Sequence, residues 1–168
     1  HVTELYLSAA LCWLRHQATT RGLSRLASAA ETALAQIFEV VGGNPLALNL
    51  AVGLVSVLPL DQVLENLRQA RGTEADELYT YIYWEAWHTL SAAAQQVLLV
   101  MPLTQNSTLA HIQALNTELD PDSVIEAIQQ LARLSLVQIG GTVKERRYTI
   151  HHLTETFLLN EAVKWQSP

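Results

Sequence analysis

The side chains able to do chemistry in this chain are scattered. It has six histidines, one cysteine and sixteen aspartates and glutamates among 168 residues. The carboxylates fall at expected helix starts and on helix faces, where solvated surface is the ordinary role. His16, His88 and His111 have no metal-ligand spacing. His151 and His152 are adjacent, and neighbouring residues of a strand point to opposite faces, so the pair is a poor metal site and no metal is expected. Neither a serine nor Cys12 lies in a nucleophile context. A phosphate-cradling Gly-x-x-x-x-Gly-Lys-Ser/Thr loop is absent, as is a Gly-x-Gly-x-x-Gly turn. The chain reads as one that carries out no catalysis by itself.

Two short stretches remain. The first is Gly42-Gly43-Asn44-Pro45-Leu46-Ala47-Leu48 and the second is Arg147-Tyr148-Thr149-Ile150-His151-His152-Leu153. Their plain structural readings are a tight helix-to-helix junction and a half-buried histidine at a strand-to-helix corner.

The elements that must position them are mostly helical. Leu5, Leu7, Leu11 and Leu14 form an apolar stripe over residues 3–17. Ser28 with Glu31 has capping-box spacing and opens a helix running to Val41 before Gly42-Gly43. Asn44-Pro45 starts a third helix, because Asn caps well and Pro suits the first helical position. That helix, through Val57, is apolar on nearly every side, and Pro59 ends it. Asp61 caps a fourth, closed by Gly72. A small helical bundle over residues 1–73 follows, then an aromatic connecting helix over 74–90 carrying Tyr79, Tyr81, Tyr83, Trp84 and Trp87.

Over residues 91–168 the pattern changes. Helices are expected from Ser91, from Asn106 or Ser107, and from Asp120-Pro121. The period then switches to two, with strands over 135–139 and 146–151 around a Gly140-Gly141 turn, and a last helix over 153–165. Three helices followed by a hairpin is the order of a winged helix. The fold class is therefore mainly α, a small helical bundle followed by a winged-helix domain with one β-hairpin.

Composition bounds the partners. Nearly half of the residues are apolar, 49%, and 15% are charged, a mixture that packs rather than staying disordered. No apolar run approaches the roughly 20 residues of a membrane span, and the best, residues 46–60, is broken by Asn49, Ser56 and Pro59. The single Cys12 excludes an internal disulfide and fits an intracellular, cytoplasmic protein. A net charge of −6 sets nucleic acid at a disadvantage. The chain starts at His1 in what reads as mid-helix, and is expected to be a piece of a longer protein.

Taken together and in this order, the two stretches resemble the C-terminal half of an NB-ARC-type module. These modules belong to the STAND class of signal-transduction ATPases, which includes plant resistance proteins and many bacterial regulators. Gly43-Asn44-Pro45-Leu46-Ala47-Leu48 is similar to the Gly-x-Pro-Leu-Ala-Leu motif of that family's helical lid. Ile150-His151-His152 is similar to its Met-His-Asp motif, with His152 standing where the family has Asp. Leu90-Ser91 through Leu99 and Leu134-Ser135-Leu136-Val137 look like the opening and the helix-to-strand passage of its winged helix.

The resemblance implies contacts to ADP or ATP. Pro45 would pack on adenine with Gly43, Asn44 and Leu46 around it, and His151 would touch the β-phosphate of ADP. The phosphate loop and hydrolytic residues would lie in an upstream nucleotide-binding domain, the chief partner, with homo-oligomerisation on activation. The alternatives from other classes are a DNA-binding winged helix and a helical protein-interaction adaptor. The first would read DNA with a helix exposing Asp122, Glu126, Gln129, Gln130 and Arg133, a face whose acids repel phosphates. The second would use surplus aromatic surface on the connecting helix.

Overall fold

In a computed structural model that describes residues 4–70 and 75–162, the chain is mainly α-helical with one small antiparallel hairpin. It divides into two compact units, residues 1–86 and 87–168. The boundary falls inside the helix read as a connector.

The first unit holds α1 (Leu7–Thr20), the single turn α2 (Ser24–Ala27), α3 (Glu31–Val41), α4 (Pro45–Val55) and α5 (Leu60–Ala70). It also holds most of α6 (Ala75–Thr89). Helix α4 is the centre, packed by α1, α3 and α5. Its Ala47, Leu48, Leu50, Ala51, Val52 and Leu54 are all buried, as an all-round apolar helix must be. Leu14, Leu34, Ile37, Leu64 and Leu67 close around it. Each such side chain contributes about 1.5–3 kcal/mol by leaving water.

Four local expectations shift here. Helix α1 starts at Leu7 instead of Thr3, because the Leu5 amide donates to the Gly43 carbonyl at 2.8 Å and Tyr6 is extended. It runs on through Thr19 and Thr20, whose hydroxyls turn back to the carbonyls of Arg15 and His16. Ser28 caps nothing, since its hydroxyl donates to the Ser24 carbonyl and finishes α2, and α3 begins after Ala30. Asp61 sits inside the first turn of α5, which begins at Leu60. The Gly72 closure lies outside the described residues.

The second unit orders α7 (Ala92–Val100), α8 (Leu109–Leu115), α9 (Pro121–Arg133), β1 (Gln138–Gly141), β2 (Arg146–Thr149) and α10 (His152–Phe157). Ser91, Thr108 and Asp120 cap the three helices by accepting from Ala94, His111 and Ser123 amides. α7 and α8 pack on α9, burying Val97, Leu98, Ile112, Val124, Ile128 and Leu131. Ile139 faces Tyr148 and Gly141 faces Arg146 across the hairpin. On its other side Tyr148 exchanges both backbone bonds with Ser107, at 3.2 and 2.9 Å, in an isolated antiparallel bridge.

That bridge explains the start of α8. Ser107 is committed to Tyr148, so Thr108 caps instead of Asn106 or Ser107. β1 also starts later than expected. Ser135 has a positive φ of 64°, and the amides of Leu136 and Val137 turn back to the Leu131 carbonyl. Those two apolar residues are buried in the tight exit of α9, and pairing starts only at Gln138. Gly140 and Gly141 are paired strand residues, and the turn is 142–145, closed by Thr142 N–H to the Glu145 carbonyl. After Phe157 the helix widens to a π turn over Leu158–Ala162, and the rest of the expected last helix lies outside the described residues.

Candidate functional site

Gly42 ends α3 with φ of 77°, a conformation that side chains with a Cβ rarely take. Gly43 is buried under the crossing chain. A Cβ there would run into the backbone oxygen and nitrogen of Leu5. The glycine pair is thus required by the junction itself.

Asn44 is the N-cap of α4. Its Oδ1 accepts from Leu46 N at 2.9 Å and from Ala47 N at 3.4 Å, while its own carbonyl takes Leu48 N at 3.0 Å. Pro45 brings no donor. The first-turn amides are therefore satisfied within the chain, and α4 does not present the open row of N–H groups that binds phosphate. What it presents is an apolar corner of half-buried Pro45 and Leu46. A flat ring can stack there, and an anion gains nothing from it.

One turn along α4 from Pro45 is Asn49, the polar interruption in that helix. Its Oδ1 accepts from the Arg21 guanidinium at the end of α1. Burial pushes the Arg21 pKa down, and its Nη1 is buried with no hydrogen-bond partner. Sequence reading noted Asn49 but missed Arg21, since the two are 28 residues apart.

In the second unit His151 is the N-cap of α10. It is half-buried, extended at φ −70° and ψ 148°, and its Nδ1 accepts from Leu153 N at 3.1 Å. An accepting Nδ1 carries a lone pair, so the neutral ring holds its proton on Nε2. Burial lowers the pKa of His151, and the neighbouring His152 adds to that. The strand-to-helix corner leaves His152 exposed, 3.8 Å from Glu155. Among the described residues, no group of three or more His, Cys, Asp or Glu is placed to hold a metal.

The five residues singled out from sequence fall in both units. Gly43, Asn44, Pro45 and Leu46 form one contiguous corner of the first, and His151 stands in the second. A second pairing that sequence reading missed is Ser107 Oγ to His111 Nδ1, at 3.0 Å. The four-residue spacing is legible, but Ser107 is buried by its strand bridge and the pair braces the start of α8.

The other expected surfaces resolve as follows. On α9, Asp122, Glu126, Gln129 and Arg133 are exposed. Gln130 is half-buried and accepts from Ser91 N and Oγ at 3.2 and 3.1 Å. On α6, Tyr83 and Trp87 are core residues, Tyr81 donates to Glu85 at 2.7 Å, and Trp84 is exposed. No described helix is long and apolar enough to cross a membrane.

No protein-family model matches the chain, and no curated protein matches it either.

Proposed function

We propose that this chain is the regulatory part of an NB-ARC-type, ADP/ATP-dependent signalling switch. Gly43, Asn44, Pro45 and Leu46 form its adenine contact and His151 its β-phosphate contact. Hydrolysis belongs to an upstream nucleotide-binding domain of the same protein, and this part does none of it. The setting is cytoplasmic, and activation exposes surface for homo-oligomerisation.

The observation that carries the reading is the state of His151. Its Nδ1 is spent on the α10 cap, so the ring offers Nε2–H, a neutral donor suited to a phosphate oxygen. Pro45 supports it in a complementary way. The capped start of α4 is apolar and has no free donors to compete for phosphate, as a base-stacking ledge needs. With ADP bound, both contacts hold the two units to the nucleotide domain. Exchange for ATP removes the His151 contact and frees the hairpin-bearing unit to move.

The DNA-binding alternative gains nothing from the exposed acids of α9. The adaptor alternative is weakened by the burial of Tyr83 and Trp87. The test is ADP release from the full-length protein. His151→Ala removes a hydrogen bond to a charged group, worth about 1.5–3 kcal/mol, so release is expected to accelerate by roughly tenfold or more. Unchanged ADP retention overturns the sensor role.

A further inference from the structure

The starts of α4, α7, α8, α9 and α10 are capped by side chains of different chemistry. Asn44, Ser91 and Thr108 do not titrate near neutrality, and Asp120 is ionised far below it, its carboxylate stabilised by the Ser123 hydroxyl and amide. His151 differs. Its cap depends on a lone pair at Nδ1, the atom that takes up the proton when the ring becomes charged. Protonation turns that acceptor into a donor facing the Leu153 N–H, another donor.

The surroundings oppose the charge as well. The ring is half-buried, and it sits at the positive end of α10. His152 on the same helix adds like charge, while Glu155 faces His152 at 3.8 Å. On β2, Arg147 is paired with Glu145 and donates to the Asn106 carbonyl. Among the described residues, burial and His152 are what act on the His151 charge, and no carboxylate offsets them.

We propose that His151 is a proton-operated latch on α10. The neutral imidazole holds the helix start, and acidification releases it. The latch stands on the cap geometry alone and goes beyond the nucleotide reading, because it operates with or without a bound nucleotide. Its target is the first turn of the helix. α10 starts directly after the hairpin and runs on into the π turn Leu158–Ala162, anchored by buried Thr154, Phe157 and Leu158.

The test is NMR on the chain as it stands, titrated from about pH 7.5 to about pH 5, across the histidine range. At neutral pH the ring nitrogens are expected to report the Nε2–H tautomer. The Leu153 amide resonance should follow the His151 titration. Intrinsic-rate-corrected hydrogen exchange of Leu153 and Glu155 should rise about fivefold on acidification, the equilibrium equivalent of one lost N-cap. His151→Asn keeps a capping side chain without a titrating group, and its α10 exchange is expected to stay flat over the same range. His152→Asn is expected to leave the Leu153 response in place. An Nδ1–H tautomer at neutral pH overturns the proposal. So does a flat wild-type response, a His151→Asn chain that responds like wild type, or loss of the response in His152→Asn.

Discussion

The Asn44 corner of the first unit and the His151 corner of the second solve one physical problem in two ways. Each is a helix start whose first amides need an acceptor. At α4 an amide side chain supplies it, in a helix otherwise sealed by apolar packing. At α10 an imidazole supplies it, in a helix of six residues. The first solution is indifferent to pH and leaves an apolar ledge. The second depends on a proton and leaves a donor pointing away from the cap. A cap residue thus decides what a helix start can later sense, beyond whether the helix forms.

The comparison can be broken most forcefully at the core. Leu48→Ala opens a fully buried site in α4 and is expected to cost about 2–5 kcal/mol of stability, measured by urea unfolding, with the loss confined to the first unit. Equal loss of hydrogen-exchange protection in α9 would show that the two corners do not belong to independently stabilised units.

A smaller effect is expected at the junction. Gly43→Ala places a methyl against the Leu5 backbone and should cost about 1–3 kcal/mol, as overpacking does. The Leu5 amide, which donates to Gly43, should lose its protection at the same time. Retained protection would mean that the crossing segment adapts and that the glycine is not sterically required.

The smallest effect separates the two caps. Asn44→Ala should cost about 1 kcal/mol at every pH between 5 and 8. His151→Ala should cost a similar amount above the ordinary histidine value near 6.5 and progressively less as pH falls through the lowered value of the folded state. The sign follows from linkage. The folded state lowers the His151 pKa and so binds fewer protons than the unfolded chain. The stability it supplies is fully present above the ordinary value and is lost as pH falls from there through the lowered value of the folded state. Equal pH profiles for the two variants would erase the distinction.

Much of this was legible in the residues themselves. Asn44-Pro45, Ser91 and Asp120-Pro121 announce helix starts, because capping is a contact between residues two or three apart. The all-apolar run after Pro45 announces a central helix for the same local reason. His151 at a strand-to-helix corner was legible as a position but not as a cap. Only the backbone turn there brings Nδ1 onto Leu153.

Local spacing by itself therefore determined most of the helices, the caps at Asn44, Ser91 and Asp120, and the helix-then-hairpin order. Tertiary structure decided the rest. Leu5 pairs with Gly43 across 38 positions and so moves the start of α1; Ser107 pairs with Tyr148 across 41 and moves the start of α8. Arg21 reaches Asn49, and the buried Leu136 and Val137 join a turn instead of a strand. In the Leu5, Ser107 and Arg21 cases a backbone or polar group is satisfied by a partner distant in the chain. Such a partner exists only once the helices have packed, so no short-range pattern encodes it.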